Sequence, residues 1–188
     1  MLIIYAHPNK KGHCGYMLEQ IEKELTERKL SYALLDLYAM KYDPVMHNNE
    51  HYTSGGYDKS ETTLSIQKKI EKSKHLIFIY PTWWNGPPAI LKGFFDKILT
   101  GRWAYKYVNG RPVGLLKGKK ATVLTTTASP RFLGWLYLMD ISLRQVTFYT
   151  LRFCGIKTKS YAVGGCRALN DKQKKKIRKK VLTAISAI

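Results

Sequence analysis

IYPTWWNGPPAILKGFFDKIL, residues 79–99, joins a strand that stops at Pro81 to a segment from Ala89 to Leu99 that reads as a helix. Between them, two adjacent tryptophans run into Asn85-Gly86-Pro87-Pro88. A single tryptophan is by default a core residue. Two in succession at the carboxyl end of a strand, hemmed in by Pro81, Gly86, Pro87 and Pro88, are hard to bury together. A flat, largely apolar group lying against the turn would give one of them a stacking partner.

Working outward, the same strand-then-helix unit repeats. LIIYA (2–6), YALLDL (32–37), HLIFIY (75–80), KATVLTTT (120–127) and TKSYAVGG (158–165) are short apolar strand candidates. Leu18, Ile21 and Leu25 recur at helical spacing, and a helix carrying Leu64, Ile66 and Ile70 is expected before the third strand. A last helix from about Asp171 is expected to bury Ile177, Val181, Leu182 and Ile185. Apolar strands separated by amphipathic helices predict an α/β fold, a parallel sheet covered on both faces. Five such strands predict one doubly wound domain over residues 1–188, in the order 2-1-3-4-5. Ligands of such sheets bind at the carboxyl ends of the strands. Those ends are the loops after Ala6, Tyr80 and Thr125, so Trp83 and Trp84 lie where a ligand belongs. The polar stretch from Tyr38 to Ser60 reads as a surface excursion, and no internal repeat is present.

The chain has 188 residues, 45% hydrophobic and 24% charged, the balance of an ordinary globular domain. No transmembrane segment is present, because Asp140, Arg144, Gln145 and Arg152 interrupt the apolar region from Phe132 to Ile156. MLIIYAHP lacks a basic leader and reads directly as a strand, not a signal peptide. Cys14, Cys154 and Cys166 are odd in number and widely spaced, which suits free thiols in a cytoplasmic protein. The formal net charge of +19 is unevenly placed. Residues 1–96 hold 12 Lys and Arg against 11 Asp and Glu, whereas residues 97–188 hold 20 against Asp140 and Asp171 alone. That half should attract anions: nucleotide phosphates, nucleic acid or an acidic membrane surface.

The loop AHPNKKGHCGY (6–16) opens the first helix with glycines and no acidic residue. Free backbone N–H groups and the helix dipole make such an N-terminus a phosphate site. Gly12 and Gly15 allow close backbone approach, and Lys10 and Lys11 add positive charge. An ordinary solvated loop is the competing reading. In TTTASPR (125–131) the hydroxyls of Thr125, Thr126, Thr127 and Ser129 either face a ligand or merely finish a strand. His47 and His51 stand four apart in a polar loop with no third ligand in sight, so no metal site is expected. Cys14 at a helix start reads as a small loop-filling residue rather than a redox sensor. Trp103, Tyr105 and Tyr107 alternate, as if lining an acceptor pocket or packing a dimer interface.

AHP after the first strand, DLY (36–38) with YDP (42–44), YPTWWNGPPAILKGFFDK and FCGIK (153–157) together resemble the NAD(P)H:quinone oxidoreductase family of flavodoxin-like flavoproteins. The resemblance runs from Ile3 to about Gly164, and Pro81 to Lys97 is its most specific block. It implies a flavodoxin-like three-layer α/β/α sandwich and a homodimeric enzyme that passes a hydride from NADPH or NADH through flavin to a quinone-like acceptor, by ping-pong turnover. It implies a first flavin-binding loop at His7 and Gly12–Cys14, where, without a serine, phosphate contacts would rest on backbone N–H groups, Lys10, Lys11 and His13. The ring loop falls on Pro81, Thr82, Trp83, Trp84 and Asn85, and the third on Thr126, Thr127 and Ala128. Lys92, Gly93 and Asp96 match the helix that follows, with a structural or dimer role. Two departures stand out. No Ser or Thr occurs from His7 to Gly15, and ASPRFLGW replaces the glycines and the tyrosine–histidine pair of larger members, so no acid–base residue is assigned. The length favours FMN, with FAD as the alternative, and the basic half suits the extra phosphate of NADPH. An electron-carrier flavodoxin, usually acidic, and a non-enzymatic binding protein using the basic half are the rival readings.

Overall fold

The computed structural model describes residues 1–51, 59–130 and 141–188. Its centre is a five-stranded parallel sheet built from β1 (Leu2–Tyr5), β2 (Ala33–Asp36), β3 (His75–Pro81), β6 (Lys120–Thr126) and β7 (Lys157–Val163), in the order β2-β1-β3-β6-β7. Each neighbouring pair is parallel, with Tyr5 beside Asp36 and Ile79, and Pro81 beside Thr126. This is the expected 2-1-3-4-5 sheet. Two further short strands, β4 (Tyr105–Val108) and β5 (Arg111–Gly114), form a separate antiparallel hairpin before the fourth sheet strand. Asn109 and Gly110 close it with φ of 50° and 75°, the left-handed pair that a two-residue hairpin turn demands.

Successive strand residues face opposite layers. Ile3, Tyr5, Ile77, Ile79 and Leu124 pack under α1 (His13–Glu27) and the final helix, α5 (Asp171–Ile185). Leu2, Ile4, Leu76, Phe78, Tyr80 and Val123 face the other core, with residues of α2 (Glu61–Lys72), α3 (Ala89–Ile98) and α4 (Ile141–Val146). Helix α4 continues as one π-helical stretch, Thr147–Arg152. Leu182, expected inside, is exposed, and so is Leu64. In α2 the buried stripe is Thr63, Ile66, Gln67 and Ile70, and in α5 it is Ile177, Val181, Ala184 and Ile185. Each leucine lies one residue off that stripe, a rotation of about 100°. Gln67 is buried because its amide donates to the Ile98 carbonyl at 2.8 Å.

Residues 38–51 are not wholly superficial. Tyr42 is buried, and the buried Lys97 ammonium reaches Glu50 at 3.0 Å and the Val45 carbonyl at 2.9 Å. Gly93 explains itself here: a Cβ would fall 2.1 Å from the Pro44 carbonyl oxygen, so α3 lies directly on that loop. Lys92 and Asp96, expected to serve structure or a dimer, pair with each other at 2.7 Å on the exposed face.

Candidate active site

Three loops leave the carboxyl end of the sheet, after β1, β3 and β6, and they are tied to one another. Thr82 N donates to the Thr126 carbonyl at 2.7 Å, carrying β3 one residue past the ladder. Cys14 Sγ lies 3.2 Å from Thr126 Oγ1, linking the first turn of α1 to β6. The His7 and Trp83 rings sit 5.9 Å apart at 57°. His7, Cys14, Thr82, Trp83 and Thr126 are thus one cluster drawn from three distant stretches.

The first loop is braced from within. Asn9 N donates to His7 Nδ1 at 3.0 Å, and Asn9 Oδ1 accepts from Lys11 N at 2.8 Å. With Nδ1 accepting, a neutral His7 carries its proton on Nε2. A Cβ on Gly15 would overlap the Lys10 carbonyl at 1.7 Å, so the loop can fold onto α1 only over a glycine. Gly12 is the N-cap of α1 and provides no side-chain cap, no acid occupies the first turn, and space is open around Gly12. The helix start therefore presents backbone donors and a positive dipole end to solvent. His13 Nε2 is buried without a partner among the described residues, while Lys11 is exposed. Lys10 is engaged elsewhere: it pairs with Asp36 at 2.8 Å and does not serve the helix start. Burial pushes the Cys14 thiol up to about 12, with the Thr126 contact opposing that shift, so Cys14 is a filler between loops and not a thiolate.

In the second loop Trp83 and Gly86 exchange both backbone hydrogen bonds, at 3.0 and 2.9 Å. Trp84 and Asn85 between them have φ of 49° and 56°, left-handed values that a tryptophan seldom adopts. Trp84 is fully exposed and Trp83 is 42% exposed. The turn is supported from below by hydroxyls. Thr82 Oγ1 lies 3.0 Å from Thr125 Oγ1 and 3.2 Å from Ser142 Oγ, and Pro81 is buried in β3.

The threonines divide between the two readings. Thr125 and Thr126 are buried in β6 with hydroxyls spent on Thr82 and Cys14. Thr127 N still donates to Val163, and the Thr127 and Ser129 carbonyls accept from Cys166 N and Gly165 N, while Ala128 and Ser129 are exposed. Arg131–Asp140, where ASPRFLGW ends, lie outside the described residues.

A family model described as "Flavodoxin-like fold" matches residues 1–188. An uncharacterized NAD(P)H oxidoreductase of Haemophilus influenzae is 32% identical over 177 residues, covering 93% of this chain and 88% of the relative. The chain belongs to the NAD(P)H:quinone oxidoreductase family of the flavodoxin-like fold. NAD(P)H dehydrogenase [quinone] 1 of Cavia porcellus is 33% identical over 83% of this chain, which spans 64% of that longer protein. Among solved structures, Smu.1420 from Streptococcus mutans UA159 matches with a TM-score of 0.87 and 30% identity over 100% of this chain and 98% of its own. An NAD(P)H:quinone oxidoreductase from Methanothermobacter marburgensis matches at 0.83 and 25%, over 97% and 95%.

Family membership also frames what lies away from the cluster. Of the alternating aromatics, Trp103 is anchored to α2 by its Nε1 on Glu71 at 2.6 Å. Tyr105 lines a cavity of about 380 Å³ with Phe95, Leu99, Tyr149 and Phe153, and among the described residues none from the three loops lines it. His47 is bonded to Asp43 at 2.7 Å, and no group of three metal-ligating side chains occurs among the described residues. No described helix is long and apolar enough to cross a membrane. Ser142, together with Asn9, was not foreseen in the site; no spacing in the sequence connects residue 142 to residue 82.

Proposed function

We propose that this chain is a flavin-dependent NAD(P)H oxidoreductase, a single domain over residues 1–188, with FMN as its flavin and a quinone-like compound as acceptor. Enzyme status of the quinone-reductase type follows from the family. The observation that carries the flavin reading is the three-loop cluster beside an uncapped helix start. The residues present fit the group. Gly12, His13 and Cys14 offer backbone N–H groups to a phosphate, the orphaned His13 Nε2 adds a partner, and exposed Lys11 adds charge. Trp83, Trp84 and Asn85 offer aromatic surface and backbone donors to a planar ring edge, while His7 Nε2–H, Thr127 and Ala128 stand at the margin of the same edge. When bound, flavin supplies the two-electron relay from nicotinamide to acceptor, in ping-pong order. The chain itself binds, orients and shields, and no side chain is assigned as acid or base.

Exposed Phe148, Tyr149 and Tyr107 lie next to the Tyr105 cavity, and a second copy covering that face would complete a homodimer. The chain works in the cytoplasm on this reading. The test is a visible spectrum of the purified protein, repeated after anaerobic NADPH and then a quinone. Flavin bands that bleach and return support the enzyme, and acid release identifies FMN against FAD. Bands that neither NADPH nor NADH bleaches identify an electron carrier. A colourless protein that takes up neither FMN nor FAD removes the flavin reading.

A further inference from the structure

From Ile141 to Ile188 the chain carries twelve Lys and Arg against Asp171 alone. Among the described residues none of the twelve forms an ion pair; every such pair lies between Lys10 and Lys97. The charge has a definite address. In α5, Ile177, Val181, Ala184 and Ile185 are buried, and α5 packs beside β7 and against α1. Lys172, Lys175 and Lys179 recur at spacings of three and four on the opposite face, flanked by Lys176 and Lys180, all exposed. Lys157 and Lys159 are exposed on β7, the edge strand alongside.

Helix stability does not account for this stripe. In α2 the charges follow the dipole, with Glu61 in the first turn and Lys69 and Lys72 in the last. In α5 the lysines crowd the first three turns, and the last turn holds no basic residue. Like charges at i, i+4, such as Lys172 with Lys176 and Lys175 with Lys179, oppose the helix further. Nor does one nucleotide account for it. The stripe starts beside the third loop, where Gln173 donates to the Gly165 carbonyl and Lys176 to that of Gly164, but it continues down a helix of 15 residues, about 22 Å long. A single dinucleotide phosphate needs far less.

We propose that the α5–β7 flank docks the protein on an anionic membrane surface. Dense lysines on one helix face are the arrangement that adsorbs to acidic lipid headgroups. Single-stranded nucleic acid would call for aromatic platforms in a groove. The outward stripe of α5 has no aromatic residue, and the cavities of about 380 and 480 Å³ are lined by other parts of the chain. Because the stripe begins at the carboxyl end of the sheet, docking brings the open loops toward the leaflet. Resting on the proposed function, this makes the acceptor a quinone dissolved in the bilayer.

The test is co-sedimentation of the full chain with phosphatidylcholine vesicles, with and without phosphatidylserine, at low and high salt. The stripe variant carries Lys172→Gln, Lys175→Gln, Lys179→Gln and Lys180→Gln; a control carries Lys68→Gln, Lys69→Gln and Lys72→Gln on α2. Wild type and control should pellet with phosphatidylserine vesicles only, and high salt should release them. The stripe variant should bind on the order of a thousandfold more weakly, with a melting point no lower than that of wild type. Equal binding to phosphatidylcholine alone, or undiminished binding by the stripe variant, overturns the proposal. Retention on duplex DNA under conditions where the acidic vesicles do not compete also overturns it and names nucleic acid as the partner. Sedimentation reads the surface whether or not the protein carries flavin, so its outcome is independent of the enzyme reading. With flavin bound, turnover of a long-tailed quinone in acidic vesicles should fall in the stripe variant while turnover of a water-soluble quinone holds; equal loss of both overturns the link to a bilayer acceptor.

Discussion

At the amino end of the sheet, Lys119 donates to the carbonyls of Ile70, Glu71 and Ser73 at 2.8, 2.9 and 3.0 Å, closing the end of α2. There too, the buried His75 pairs through Nε2 with Thr122 Oγ1 at 2.8 Å. At the carboxyl end, α1 starts without a side-chain cap, His13 Nε2 has no partner and Trp84 stands in solvent on a left-handed backbone. Both ends belong to the same strands. One spends its polar groups on the fold; the other, beside hydroxyls that bond one another, leaves a helix start and an imidazole nitrogen open. An uncapped helix start at the carboxyl end of a parallel sheet is where a ligand belongs. Mutations at the two ends should therefore separate stability from binding.

The largest effect is expected at Gly15. Gly15→Ala must push the Lys10 carbonyl aside, and flavin affinity should drop about tenfold to a hundredfold, equivalent to ~1.4–2.8 kcal/mol, as read by fluorescence titration. An unchanged affinity would mean that the first loop does not hold the phosphate.

The next tests the closed end through pH. Burial, helped by Lys120 and the chain's amino terminus, lowers the His75 pKa from 6.5 to about 4. As pH falls from 6.5 toward 4 the unfolded chain takes up this proton first, so stability is lost through that window and is fully present above it. The loss is about 3 kcal/mol, and His75→Gln should flatten that part of the stability curve measured by urea unfolding.

Lys119→Met should cost about 1–2 kcal/mol in the same assay while leaving flavin titration within about twofold, a shift in kind opposite to that of Gly15→Ala. The smallest effect belongs to Thr82→Val, which keeps shape and removes the hydroxyl between Thr125 and Ser142. Flavin affinity should weaken about threefold, the value of one neutral hydrogen bond, and Thr82→Ser should restore it. A melting point that falls with no change in affinity would make the hydroxyl cluster a part of the fold alone.

Much of the architecture was legible in the chain. Uninterrupted apolar runs such as LIIYA and HLIFIY mark strands buried on both faces, because a parallel sheet under two helical layers leaves no polar side. The loops after β1, β3 and β6 follow from that order. The hairpin β4–β5 was less legible, since Tyr105 and Tyr107 alternate equally well in a strand or a covering loop. Leu182 misled because helix periodicity gives a stripe about 100° wide, and a leucine at its margin is placed by its neighbours.

The sequence by itself determined the five strands and their order, the anion-attracting second half, and the glycines and prolines of the two ligand-facing turns. These are local matters of pattern, charge and backbone restriction, which each segment carries with it. Only the tertiary structure decided which groups are spent and which are free. Lys10, read beside a phosphate, turns to Asp36; Thr126, read as a ligand contact, binds Cys14 from 112 residues away; Ser142 reaches Thr82 across 60. A hydrogen bond joins whatever the packed layers bring within about 3 Å, and sequence distance carries no information about that.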